Sequence, residues 1–189
     1  MSDAYTVYWP QERWRAALGV RRPLEVLFGG PHLSEPSFLR AKVRPGDTLY
    51  PIGVNRQVLF VFGRMRVREL VTAEDTLDSY FESFHVWRFL APTCTNEVVL
   101  GVEGTRVHGN RALPGDVLRR MTYLPRKGPR PVKHVSPEGL LTSSISVQGI
   151  YRLAPASAAD LDAVLAGPPT PPVPRQRELS AECGTSPLF

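Results

Sequence analysis

Only two cysteines, Cys94 and Cys183, occur among 189 residues, and they stand far apart. No spacing pairs them, which excludes a disulfide framework and fits free thiols in a reducing compartment. Cys94 also has no histidine within local reach to activate it as a nucleophile. The four histidines, His32, His85, His108 and His134, are scattered singly without metal-ligand spacing, so neither a metal nor another cofactor is expected. No apolar run approaches the roughly 18 residues of a membrane helix, and no charged-then-apolar leader opens the chain. A cytoplasmic protein with no membrane partner is therefore expected.

Lysine is scarce as well. Of 23 basic side chains only Lys42, Lys127 and Lys133 are lysines, and the formal net charge is +5. Net positive charge draws polyanions by long-range attraction, yet an arginine-heavy, Ala-, Gly- and Pro-rich composition is also what GC-rich coding produces. Where the charge sits therefore matters more than its sum.

The organising stretch is residues 57–70, QVLFVFGRMRVREL. Side chains alternate faces along a strand. Leu59, Val61, Met65 and Val67 form one apolar row, while the other runs Val58, Phe60, Phe62 and then Arg64, Arg66, Arg68. This predicts a strand buried on both sides at first, which then keeps a core face and turns three guanidinium groups outward. Those arginines either hold phosphates or simply keep a strand end soluble.

A second charged segment lies at residues 119–134. Arg119, Arg120, Arg126, Lys127, Arg130 and Lys133 follow one another with no acidic residue between them. Pro125, Gly128, Pro129 and Pro131 predict an extended, irregular loop there. It is either a proline-stiffened soluble loop or an arm that tracks phosphates, with Tyr123 and His134 placed to stack on bases. Trp9 is a further stacking candidate, and Trp87 is either a core residue or the floor of a pocket. His134, beside Lys133, is the best placed histidine for acid–base work on phosphodiesters.

Along the chain, strands are expected at residues 5–9 and 24–28, up to Val43, and through Leu49 and Ile52, the last two joined by a tight turn at Pro45-Gly46-Asp47. A hairpin turn at Val54-Asn55-Arg56 leads into the organising strand. Pro10 opens a short helix burying Trp14, Ala17 and Leu18. The loop with His32, Ser34 and Glu35 reads as turn chemistry rather than as a catalytic site. Thr72 with Asp75 suggests a helix cap, and Leu77, Tyr80, Phe81 and Phe84 lie at helical spacing, predicting an aromatic face docked on the sheet. Further strands are expected at residues 86–90, 97–104 and 149–153, and another after a second Pro-Gly-Asp turn at Pro114. Ser157 is expected to cap a last helix closed by Gly167. Six of the chain's 19 prolines follow that point. The predicted organisation is one α+β domain over 1–167, with a small, curved mixed or antiparallel sheet or a pseudo-barrel and short flanking helices, and a Pro-rich, largely disordered tail over 168–189.

FLRAKVRPGDTLYPIGV followed by VLFVFGRMRV resembles the core of the PUA-like superfold, in which a strand, a Pro-Gly-Asp turn and a second strand precede a strand ending as Gly63, Met65 and Val67 do here. The resemblance covers about residues 39–69. TVYWPQERW is similar to the start of EVE-type members, whereas the GxKxxExR pattern of ASCH-type members is absent. The resemblance implies a pseudo-barrel that binds RNA, or a modified base held in an aromatic-walled pocket.

The leading functional expectation is accordingly a nucleic-acid-binding module for RNA or single-stranded DNA, without a catalytic residue set. Two alternatives stay open. One is a nucleotide- or RNA-processing hydrolase; the other is a protein-binding accessory or immunity-type factor that engages its partner through the Pro-rich tail.

Overall fold

The computed structural model describes residues 2–30, 37–72, 77–91 and 94–170. His32, Ser34, Glu35, Asp75, Cys183 and the tail from residue 171 onward lie outside the described residues. In chain order the elements are β1 (Ala4–Tyr8), α1 (Gln11–Ala17), β2 (Val26–Gly29), α2 (Phe38–Ala41), β3 (Thr48–Asn55), β4 (Val58–Val61), β5 (Met65–Val71), α3 (Leu77–Ser83), β6 (Glu97–Val102), α4 (Gly115–Arg120), β7 (Thr122–Tyr123), β8 (Arg130–Pro131), β9 (Ile150–Arg152) and α5 (Pro155–Ala166). Short 3₁₀ helices span His85–Leu90 and Ser144–Ser146.

Seven strands form one sheet in the order β2-β6-β5-β3-β1-β9, with β4 also on β3. Only the β1–β3 pair is parallel; the other pairings are antiparallel. The strands at the two ends of this path, β2 and β9, do not pair, so the sheet is open and the expected pseudo-barrel does not close. Beyond β9, the β7–β8 ribbon continues the pairing, with Leu124 donating to the Arg152 carbonyl at 2.8 Å and Ala154 donating to the Thr122 carbonyl at 2.9 Å.

The organising stretch buries Leu59, Val61, Met65 and Val67, but not as the single row expected: Leu59 and Val61 lie in one core and Met65 and Val67 in the other. It is not one strand. β4 pairs with the far half of β3 and β5 with its near end, and the register changes by one residue between them. Phe62, Gly63 and Arg64 take up that extra residue, so the two halves bend apart as at a bulge. The turn before it is Arg56-Gln57, with both residues at positive φ, as a two-residue hairpin requires.

Both faces of the sheet are covered. One core gathers Tyr5, Val7, Trp14, Leu49, Met65 and Trp87 under α1, α3 and the first 3₁₀ helix, and Phe62 stacks on Trp14 at 5.3 Å between centroids. The other gathers Tyr50, Ile52, Leu59, Leu118, Met121 and Leu161 under α4 and α5. Among the described residues no helix is long and apolar enough to cross a membrane.

Four expected elements are corrected. Residues 86–90 form a 3₁₀ helix, because Trp87 and Leu90, three apart, both point inward. The stretch before Val43 is α2, capped by Ser37, whose hydroxyl accepts from the Arg40 N–H. The second Pro-Gly-Asp begins α4 rather than a turn into a strand; Pro114 takes the cap position, and Val117, Leu118 and Met121 share a buried face. Ser157 does not cap α5. Ala154 does so, with Pro155 in the first turn, while the buried Ser157 hydroxyl accepts from the Thr122 N–H at 2.9 Å. At the far end of the described residues, 168–170 are tied down by Thr170, which donates its N–H to the Asn110 carbonyl at 2.8 Å.

Candidate functional site

Three segments distant in sequence converge at one edge of the sheet. β1 stands between β3 and β9, so the loop that enters β3 and the outer strand β9 lie on either side of it. The loop is rigid for local reasons. Lys42 ends α2 in the left-handed conformation at φ 64°, and Gly46 turns the chain at φ 91°. The buried Asp47 carboxylate then accepts from the N–H groups of Arg44 and Asp3, each at 2.8 Å. The opposite wall is the β7–β8 ribbon, whose turn is closed by Gly128 donating to the Pro125 carbonyl at 3.1 Å.

Between them lies a cleft of about 600 Å³. Arg40, Lys42 and Arg44 line one wall, Arg126 and Arg130 the other, and Arg152 the floor, beside Tyr5, Tyr123 and Tyr151. Asp3 and Asp47 are the acidic residues of its lining, and both are committed. Asp47 binds backbone, and Asp3 pairs with Arg152 at 3.2 Å. Lys42, Arg44 and Arg126 have no ion-pair partner among the described residues.

The tyrosines respond to this setting. Burial, then the carboxylates of Asp47 and Asp3, pushes the Tyr5 hydroxyl up to about 12. Burial also drives Tyr123 well above its ordinary value. The Tyr123 hydroxyl faces that of Thr6 but makes no hydrogen bond of normal geometry. Arg130 lies over the Tyr151 ring at 5.7 Å, and Tyr123 packs against Tyr151 at 4.9 Å between centroids. A second cavity of about 280 Å³ adjoins the ribbon and is lined by Arg130, Lys133 and His134 among others.

The residues expected to bind phosphate thus divide. Arg126 and Arg130 line the cleft, and Lys133 and His134 the smaller cavity, while Tyr123 borders both. Lys127 is exposed at the ribbon turn and lines neither. The three arginines of the organising stretch lie elsewhere. Arg64 pairs with Asp162 of α5 at 2.7 Å, Arg66 pairs with Glu103, and Arg68 is exposed at the β5 register shift. Arg119 donates to the Pro137 carbonyl, and Arg120 is held in a fork by Asp160 at 2.8 and 2.9 Å and by Asp116 at 2.7 Å. Trp9 and Trp87 are core residues, 3% and 0% exposed, with no ring face at the surface.

Sequence reasoning missed Arg40, Lys42, Arg44, Arg152, Tyr5 and Tyr151. A usable signal was the alternation of basic residues in RAKVR, residues 40–44, immediately before a rigid turn. Chemically the cleft can hold an anion; among the described residues no group of three or more His, Cys, Asp or Glu side chains is placed to hold a metal ion. No protein-family model matches the chain and no curated protein matches its sequence, so the functional reading rests on the geometry of this cleft.

Proposed function

We propose that the protein is a nucleic-acid-binding module and that the cleft between the Lys42–Asp47 loop and the β7–β8 ribbon is its binding site. The observation that carries this reading is the concentration of six basic side chains around two carboxylates that are already engaged. Three of them, Lys42, Arg44 and Arg126, have no ion-pair partner among the described residues, and such cations in a concave, partly apolar surface attract a polyanion and cost little to desolvate against it. Tyr151, the half-buried tyrosine of the lining, gives a base of such a ligand an apolar surface to lie on.

Fluorescence anisotropy of labelled single-stranded RNA, single-stranded DNA and duplex DNA across a salt series tests the proposal. Contacts to about four phosphates of a single strand, each adding a slope near −0.7, predict a roughly fiftyfold loss of affinity between about 50 and about 200 mM salt. Arg126→Ala should lower the steepness of that slope by about 0.7. Arg66→Ala, which removes a cation already paired with Glu103 away from the cleft, should leave it unchanged. Absence of binding to all three nucleic acids at low salt would sink the proposal.

A further inference from the structure

The smaller cavity is lined by Arg130, Lys133, His134, Ser146 and Ile145, together with Pro131 and the two tyrosines, and its lining includes no carboxylate. It shares Arg130, Tyr123 and Tyr151 with the larger cleft. These three side chains are therefore a partition with a cationic cavity on each side. The partition is well fixed on its aromatic side, by the Tyr123–Tyr151 contact and by the Tyr151 hydroxyl donating to the Gln148 carbonyl at 2.8 Å. The Arg130 guanidinium, in contrast, finds no acceptor among the described residues, and its Nε is buried without a hydrogen-bond partner. A buried donor left unmatched is costly, and this one stands where the two cavities meet.

A ligand with one phosphate can use the cations of one cavity only. A ligand with phosphates at regular intervals can place them on both sides of the partition and pass one of them over Arg130. The dimensions also select its form. Cavities of about 600 and 280 Å³ admit unpaired nucleotides, whereas a duplex buries its bases in the stack and keeps its two backbones too far apart to enter either. We propose that the two cavities form one continuous track for single-stranded nucleic acid, with the phosphodiester crossing at the Arg130–Tyr151 pair. The inference rests on the nucleic-acid reading of the cleft and adds to it the strandedness and minimum length of the ligand.

Uridine 5′-monophosphate, a ladder of oligouridylates up to the octamer, and an RNA duplex test it with the full chain. Affinity should climb with length to about four nucleotides and then level off, and the duplex should bind at least about tenfold more weakly than the octamer. Lys133 is exposed and contributes only its backbone carbonyl to the fold, to the Ser146 hydroxyl at 2.8 Å, so Lys133→Ala should keep the native thermal midpoint. One phosphate contact at a slope of 0.7 is equivalent to about fivefold in affinity near 0.1 M salt. Lys133→Ala should therefore weaken the octamer about fivefold and leave the monophosphate unchanged, while Arg126→Ala weakens both. An octamer that depends on Arg126 but ignores Lys133→Ala, a monophosphate that binds as tightly as the octamer, or a duplex that matches the single strand each overturns the track and leaves the cleft as a nucleic-acid site. Failure of every ligand to bind overturns both.

Discussion

An arginine's role here is decided by what lies opposite it in space. Arg64 meets Asp162, 98 residues away, and Arg66 meets Glu103, 37 residues away; neither pairing is visible in a local run of charge. Arg64 and Asp162 are both more than two-fifths exposed, so their pair is screened by solvent. Arg64→Ala should cost less than about 1 kcal/mol in urea denaturation, partly because Tyr50 still donates to Asp162 at 3.0 Å. It should leave nucleic-acid affinity unchanged. Four lining residues of the two cavities, Arg126, Arg130, Lys133 and Tyr123, were legible as candidates because they occupy one dense, proline-stiffened run. Arg40, Lys42, Arg44, Arg152, Tyr5 and Tyr151 were not, because only the pairing of β1 with both β3 and β9 brings their segments together.

Among elements, strands of β-branched and aromatic residues were legible, as β1, β2, β3, β6 and β9 illustrate, because a strand covered on both faces is a short, nearly continuous apolar run bounded by turn residues. The short helices were not. α2 has four residues and α4 six, too few for a helical period to stand out from an alternating one. In α2 the deciding interaction comes from β6. The buried Glu97 carboxylate accepts from the N–H groups of Phe38 at 2.6 Å and Leu39 at 3.3 Å and from the Ser37 hydroxyl at 2.7 Å. It satisfies donors that a helix start otherwise leaves open. Glu97→Ala should lower stability by about 2–4 kcal/mol in chemical denaturation, since it strands those buried donors. Because α2 leads directly into the loop bearing Lys42 and Arg44, the same variant should bind RNA more weakly even where it remains folded. An unchanged denaturation midpoint would show that water replaces the carboxylate without loss.

For the whole molecule, the two-sided burial of the sheet sets its response to alkali. Tyr5, Tyr50 and Tyr123 all have hydroxyls raised above the ordinary 10.0, each chiefly by burial, with Asp162 adding to the effect on Tyr50. Above pH 10 the unfolded chain releases phenolic protons that the folded chain keeps, so stability should be level below that pH and fall as pH rises from about 10 towards 12. Phenolate absorbance should show Tyr5, Tyr50 and Tyr123 titrating late, and together with unfolding. Tyrosines that all titrate near 10 in the folded protein would contradict this. Against that background of close packing, Lys42 and His134 both hold left-handed backbone at φ 64° and 59° and border the two cavities. Glycine or asparagine is the residue that such a helix end ordinarily carries. Lys42→Gly should therefore hold or raise the thermal midpoint, by up to about 1 kcal/mol of stability, while weakening RNA binding. On the proposed reading, Lys42 exchanges a small backbone strain for a charge at the rim of the cleft.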